Sequence, residues 1–321
     1  MRAYLFQIAQ RAGLLNTVFY LQKHRLYVLY FHRVSIEYSP AYPPLNPDVF
    51  SGIMDFVNDR FKIIDFSELE HNFKSKKPLA IITFDDGFSD FAEYAFPVLE
   101  HLNIPVTMNV ITDCAETGLP NWTQKINCLV EAFAIKNLQP ELMGLKLPKL
   151  ESGRNEGQIA LDIFRHLSTF KLAEIQDQID VWERQLKGDY KYTPMLKWDE
   201  IKKLTDTGLV IPGSHTKTHI NLSQNHSDEI LKSEIIETKK TIENKLNCKV
   251  DRFAFPNGLY NKRSLQTVID AGYEYIQLTG EKAIENLPED KPYIVNRIEP
   301  FYASISENLF KIAGFHSMIA R

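Results

Sequence analysis

Two adjacent carboxylates, Asp85 and Asp86, stand at the end of an apolar run over 78–84 and are followed at once by Gly87. A run of that length fits a strand buried on both faces, and the glycine allows a sharp turn straight after the charge. Neighbouring carboxylates repel unless a cation or a proton separates their roles, so a metal held by one Asp, with the other free as a base, resolves the conflict. Far along the chain His215 and His219 lie four residues apart, a spacing at which two imidazoles can reach one ion from a helix or a tight loop. Two His and one Asp leave a coordination position open, as in a hydrolytic zinc-type site. Other polar groups occupy comparable places: His32 follows the run 27–31, Pro256-Asn257-Gly258 follows 252–255, and Arg297 lies near the end of 293–298. The remaining histidines, His24, His71, His101, His166, His226 and His316, lack such a context and read as surface or satisfied core residues.

These groups must be positioned by strand ends. Strand patterns at 27–31, 62–64, 78–84, 106–111, 209–212, 252–255, 273–278 and 293–298 alternate with helical ones. Such alternation predicts an α/β fold, a distorted (β/α) barrel of about seven to eight parallel strands. An open doubly wound sheet would alternate in the same way, but no G-x-G-x-x-G or Walker-type loop follows any strand. In a barrel the C-terminal strand ends share one rim, which makes neighbours of residues scattered over the sequence. Ser67 and Glu70 predict a capping box for a short helix.

Between 113 and 194 strand patterns vanish, and helical ones take over at Ile126, Leu129 and Phe133, at Ile159, Phe164 and Leu167, and at Ile175, Ile179 and Trp182. That is too long for a connection and predicts a helical insertion at 113–194, within a barrel made of 1–112 and 195–321. Asn121-Trp122 near its start offers a sugar-stacking contact if exposed and a core residue if buried. Residues 1–25 predict an amphipathic helix with Leu5, Ile8, Ala9, Ala12, Leu15 and Phe19 on one face. Packing of that face on the domain is the commoner outcome, and peripheral contact with an anionic membrane is the alternative, since 1–36 holds five Arg and Lys and no Asp or Glu.

Over 321 residues the hydrophobic fraction of 44% is ample for a full core, and a net charge of −4 gives no pull toward nucleic acid. Cys114, Cys128 and Cys248 show neither C-x-x-C spacing nor an even count, so no disulfide framework is predicted. With no export signal or spanning segment in view, a cytoplasmic location is expected, with the inner face of the membrane as its variant.

The residues also carry a family resemblance. Thr83-Phe84-Asp85-Asp86-Gly87, then Ser214-His215-x-x-x-His219, then Phe253-Ala254-Phe255-Pro256-Asn257-Gly258 resemble, in order, the first three motifs of the polysaccharide deacetylase family, the NodB homology domain of carbohydrate esterase family 4. Tyr30-Phe31-His32-Arg33-Val34 and Arg297-Ile298 resemble the opening and closing strands of its bacterial exopolysaccharide-type members, and the likeness covers about 26–112 and 195–300.

The resemblance implies that Asp86, His215 and His219 hold a divalent metal, zinc foremost, while Asp85 is the general base on the attacking water. A backbone N–H of the turn at Asn257 is expected to stabilise the oxyanion together with the metal. The implied substrate is an N-acetylated sugar or oligosaccharide, in a polysaccharide or, without an export signal, in its lipid- or nucleotide-linked precursor. Two departures stand out. Ala254 occupies the place of the family's Arg that pairs with the base, and Arg297 is the expected replacement. The family's late Leu-x-His, source of the general acid, has no clear match, Gly314-Phe315-His316 being a poor one, and His32 is the expected acid. Were turnover lost with those residues, a catalytically inactive carbohydrate-binding barrel would remain. A glycosyltransferase using Asp85-Asp86 for a metal-diphosphate leaves both histidines without a role.

Overall fold

The computed structural model describes residues 6, 8, 10, 12–72, 75–142, 144–287 and 290–315. Its strands are β1 (Leu26–Phe31), β2 (Lys62–Ile63), β3 (Leu79–Asp86), β4 (Val106–Val110), β5 (Val210–Ser214), β6 (Arg252–Ala254), β7 (Tyr275–Thr279) and β8 (Tyr293–Arg297). They pair in parallel in the order β1-β3-β4-β5-β6-β7-β8, with β2 joined to β3. Ile298 links the two ends: its N–H donates to Val28 O at 2.8 Å and its carbonyl accepts from Tyr30 N at 3.0 Å. The result is a nearly closed, distorted (β/α) barrel.

β1 and β3 are buried at every position, which explains why both read as unbroken apolar runs: helices cover their outer side and the barrel interior their inner side. The interior is unusually polar. Thr83 and Asp85 of β3, Thr107 and Asn109 of β4, Gln277 of β7 and Arg297 of β8 bond to one another or to their neighbours there, where branched aliphatic side chains usually fill a barrel. One layer down, Arg252 of β6 meets Asp65 and, at 3.2 Å, Thr107 Oγ1.

Outside the barrel, the helices Trp122–Ile135, Glu156–Leu167 and Leu172–Leu186 share an apolar cluster of their own that includes Ile126, Phe133, Ile159, Ile179 and Trp182. The helix Leu14–Leu21 packs Phe19 against Tyr27, Phe56 and Phe61 and buries Leu15 in the same apolar cluster, so these two members of the predicted amphipathic face pack on the domain. Ile8 is 48% exposed, while Leu5, Ala9 and His316 lie outside the described residues. Among the described residues no helix is long and apolar enough to cross a membrane. The capping box lies two residues before the predicted one: Asp65 Oδ2 accepts from Ser67 N, and Glu68 accepts from Asp65 N at 3.0 Å. Asp65, already fixed by Arg252, is the better-placed acceptor.

Candidate metal centre and its cavity

The carboxylates do not follow β3 but end it. Asp85 pairs with Asn109 and Asp86 with Val110 in the parallel ladder to β4. In a regular strand two neighbours point to opposite faces, and the positive φ of 71° at Asp86 followed by 85° at Gly87 breaks that alternation at the rim. Asp86 Oδ1 then lies 3.5 Å from His215 Nε2 and 3.6 Å from His219 Nε2, all three side chains being buried.

Those separations are too long for hydrogen bonds, but they match the edge of about 3.3 Å expected between two ligands of a tetrahedral zinc ion. Asp86 Oδ1 and His219 Nδ1 are buried without a hydrogen-bond partner among the described residues, an unusual condition that a cation would relieve at the carboxylate. One ligand atom from each residue falls within 4.8 Å of the others, so the three fit a divalent ion. Burial raises the Asp86 carboxyl and, with the neighbouring His215, drives the His219 imidazole well down, toward the neutral form that ligates metals.

Each histidine is held from behind. His215 Nδ1 donates to Ala254 O at 2.7 Å, which leaves Nε2 as the lone-pair nitrogen facing Asp86. His219 sits in a loop where Thr216 and His219 have φ of 65° and 61°, with His219 N donating to Thr216 Oγ1 at 2.9 Å. Buried Glu234, from a π-type turn Lys232–Glu237 in the long helix after β5, accepts from Lys217 N, Thr218 N and Thr218 Oγ1 at 2.7–3.0 Å and so clamps the same loop. Trp122 is a buried anchor and not an exposed platform: its indole N–H donates to His219 O at 2.9 Å while its ring stacks on Phe164. Among these, Glu234 left no sequence signal, since a Glu within a helix ordinarily faces solvent.

Asp85, next to the group of three, is held by polar side chains of the barrel interior. Arg297 grips it with two bonds of 2.7 and 2.8 Å, and Asn109 Nδ2 donates to Oδ1 at 2.7 Å. Burial opposes the charge of Asp85, but the Arg297 guanidinium outweighs it and holds the carboxyl well below the usual range. Arg297 is itself fixed by Leu278 O, Thr83 Oγ1 and Gln277 Oε1 and lies over the Tyr30 ring at 4.6 Å. Asn109 and Gln277 exchange two amide bonds of 3.0 Å across the barrel. Their signal was legible, as polar residues in the middle of apolar strands. Gly213 on β5 makes room, for a Cβ there would fall 2.3 Å from Asn109 Oδ1.

His32, just past β1, places Nδ1 3.1 Å from Glu299 Oε1, and Tyr30 OH donates to the other oxygen of that carboxylate at 3.3 Å. Burial would lower the imidazole pKa, but the bond and charge of Glu299 prevail and push it up to about 9. Glu299 was missed in the sequence, although it stands two residues beyond Arg297 on the same side of the chain. Asn257 lies in the turn after β6 with φ of 54°, exposed, and Gly258 follows where a Cβ would strike Thr279 Oγ1 at 2.2 Å.

A cavity of about 210 Å³ joins these groups: His32, Tyr42, Asp86, His219 and Asn257 line one side. The opposite side comes from 113–194, including Asn127 and Phe164. The segment 113–194 therefore borders the site directly. A second cavity of about 380 Å³ shares His32 and Tyr42 with the first and extends to Glu299 and Phe301.

A protein-family model described as Polysaccharide deacetylase matches residues 73–276, well over half of the chain. Comparison with curated proteins finds no match. Among solved structures, the Streptococcus pyogenes deacetylase PplD in complex with acetate aligns with a TM-score of 0.57 at 18% identity, covering 90% of this chain and 98% of that one. IcaB from Ammonifex degensii aligns at 0.55 and 18% identity, covering 90% and 97% respectively. A polysaccharide deacetylase from Bacillus cereus aligns at 0.59 and 16% identity, covering 91% and 69%. At such identities the likeness speaks for the fold.

Proposed function

The chain belongs to the polysaccharide deacetylase family, and on that premise we propose that it is a metal-dependent hydrolase that removes the acetyl group from an N-acetylated sugar, in a polysaccharide or its lipid- or nucleotide-linked precursor. The observation that carries this reading is the division of the two carboxylates, Asp86 grouped with His215 and His219 and Asp85 clamped by Arg297 beside them. A divalent ion held by Asp86, His215 and His219, zinc foremost, would polarise the acetamido carbonyl and lower the pKa of water.

The chain's own side chains supply the proton transfers. Asp85, kept ionised by Arg297 and oriented by Asn109, accepts the proton of the attacking water. The turn offers the backbone N–H of Asn257 at the edge of the cavity, where the oxyanion would develop, those of Gly258 and Leu259 being bonded within the turn. His32, kept protonated by Glu299, gives its proton to the departing amine.

The test is acetate release from N-acetylglucosamine oligosaccharides by protein loaded with zinc or cobalt. Asp85→Asn is expected to lower kcat by at least about a hundredfold, the usual worth of a general base. Failure of the wild type to bind either metal, or undiminished turnover in Asp85→Asn, would overturn the reading.

A further inference from the structure

Two helices of the insertion each turn one face to the cavity that holds Asp86 and His219. Gly157, Ala160, Leu161 and Phe164 come from the helix Glu156–Leu167 at spacings of three, four and seven, which makes them one apolar stripe. Leu161 is 39% exposed, an apolar side chain that the chain itself leaves uncovered on the cavity. Thr123, Gln124 and Asn127 come from the helix Trp122–Ile135 and form a polar stripe.

That polar stripe is already ordered. Buried Gln124 donates to Thr193 Oγ1 at 3.1 Å and accepts from Asn127 Nδ2 at 3.0 Å, and Thr123 Oγ1 donates to Asn121 Oδ1 at 2.6 Å. Asn127 Oδ1 has no hydrogen-bond partner among the described residues, so an oriented acceptor is left over on the cavity wall. The wall is fixed to the rim and is not a loose lid: besides the Trp122 bond to His219 O, Glu131 Oε1 accepts from Ser39 Oγ at 2.8 Å and Ala41 N at 2.9 Å.

A pyranose has the same two-sided character, with an apolar face of axial C–H groups and a polar rim of hydroxyls. A cavity of about 210 Å³ is small for a drug-sized ligand and suits a single ring. Resting on the deacetylase reading above, we propose that the insertion is the sugar-recognition wall of the site, with Leu161 and Phe164 against the apolar face of the N-acetylated ring and Asn127 Oδ1 accepting from one of its hydroxyls. The insertion then selects the sugar, while the barrel rim acts on the acetyl group.

The proposal is tested with Asn127→Leu and Leu161→Ser, both at partly exposed positions, as zinc-loaded protein. Each is measured on an N-acetylglucosamine oligosaccharide and on 4-nitrophenyl acetate, which presents an acetyl group without a sugar. For both variants kcat/KM on the oligosaccharide is expected to fall about tenfold, as for one lost hydrogen bond or one lost apolar contact, and on the ester to stay within about twofold. Equal losses on both substrates would assign the residues to the fold or the metal site and overturn the proposal, as would no loss on either. If the wild type hydrolyses no N-acetylated sugar, that failure belongs to the catalytic reading, and calorimetric binding of N-acetylglucosamine decides the wall. Binding that Asn127→Leu abolishes supports it, whereas binding that is absent or unchanged overturns it.

Discussion

Replacing Arg297 by Gln removes the cation from a buried carboxylate and leaves Asp85 with Asn109 as its one side-chain donor among the described residues. Breaking a buried pair in this way costs about 3–5 kcal/mol, because the stranded charge keeps its desolvation penalty. The pair is best isolated by a double-mutant cycle on metal-free protein with Asp85→Asn as the second change. In the Asp85→Asn background Arg297 has no anion to hold, so Arg297→Gln is expected to be neutral or stabilising there, giving a coupling energy of at least about 3 kcal/mol at pH 7. The pH dependence has a definite sign. Asp85 has a depressed folded pKa, so its contribution is present above the unfolded value near 3.9 and is lost as pH falls through the folded one. Urea unfolding at pH 7 and at roughly pH 5 should therefore show undiminished coupling at both, since both lie above the unfolded value. Additive single changes at pH 7 would refute the view that Arg297 is there for Asp85.

Two further substitutions address the acid and the insertion. Glu299→Gln leaves burial opposed by the charges of Asp86 and Asp85 alone, so the His32 pKa should fall from about 9 and the alkaline limb of the kcat/KM profile should move down with it. The same raised pKa makes His32 stabilising below its unfolded value, an effect lost as pH rises through about 9, and an unmoved alkaline limb in the variant would remove His32 from the acid role. Trp122→Phe keeps the stack on Phe164 but deletes the 2.9 Å bond to His219 O. Competition with a chromophoric chelator is expected to show the zinc dissociation constant raised about tenfold, and an unchanged constant would make Trp122 a packing residue alone.

How much of the site could be read from residues depends on where each one sits along its strand. Asp85, Asp86, His32 and Arg297 close apolar runs, and a barrel gathers such ends at one rim, so the grouping of Asp86, His215 and His219 was visible before any coordinates. Asn109 and Gln277 were visible only as misplaced polar residues, because their meaning depends on which strands face each other across the barrel. Glu234 and Trp122 were out of reach: both act on the 215–219 loop through bonds to backbone groups, which leave no pattern, Glu234 from the helix that follows and Trp122 from one far earlier in the chain. The positive φ at Asp86 was hidden as well, since an Asp-Gly pair ordinarily assigns that conformation to the glycine.

The missing family arginine has a geometric explanation. Ala254 on β6 lies in register with Gln277 on β7, which lies in register with Val295 on β8, and Arg297 is the next residue of β8 on the same side. A side chain that long reaches Asp85 from one step higher, so the cation beside this carboxylate comes from position in the barrel and not from position in a motif. The same chain segment also holds His32, the proposed acid. Arg297 lowers Asp85, Glu299 raises His32, and Ile298 between them bonds to β1 and brings the barrel's two ends together. Two titratable groups at one barrel rim whose environments drive them in opposite directions are the pattern of a base and an acid. Here one strand end produces both shifts, which favours a working enzyme over a barrel that only binds, since binding alone would need neither.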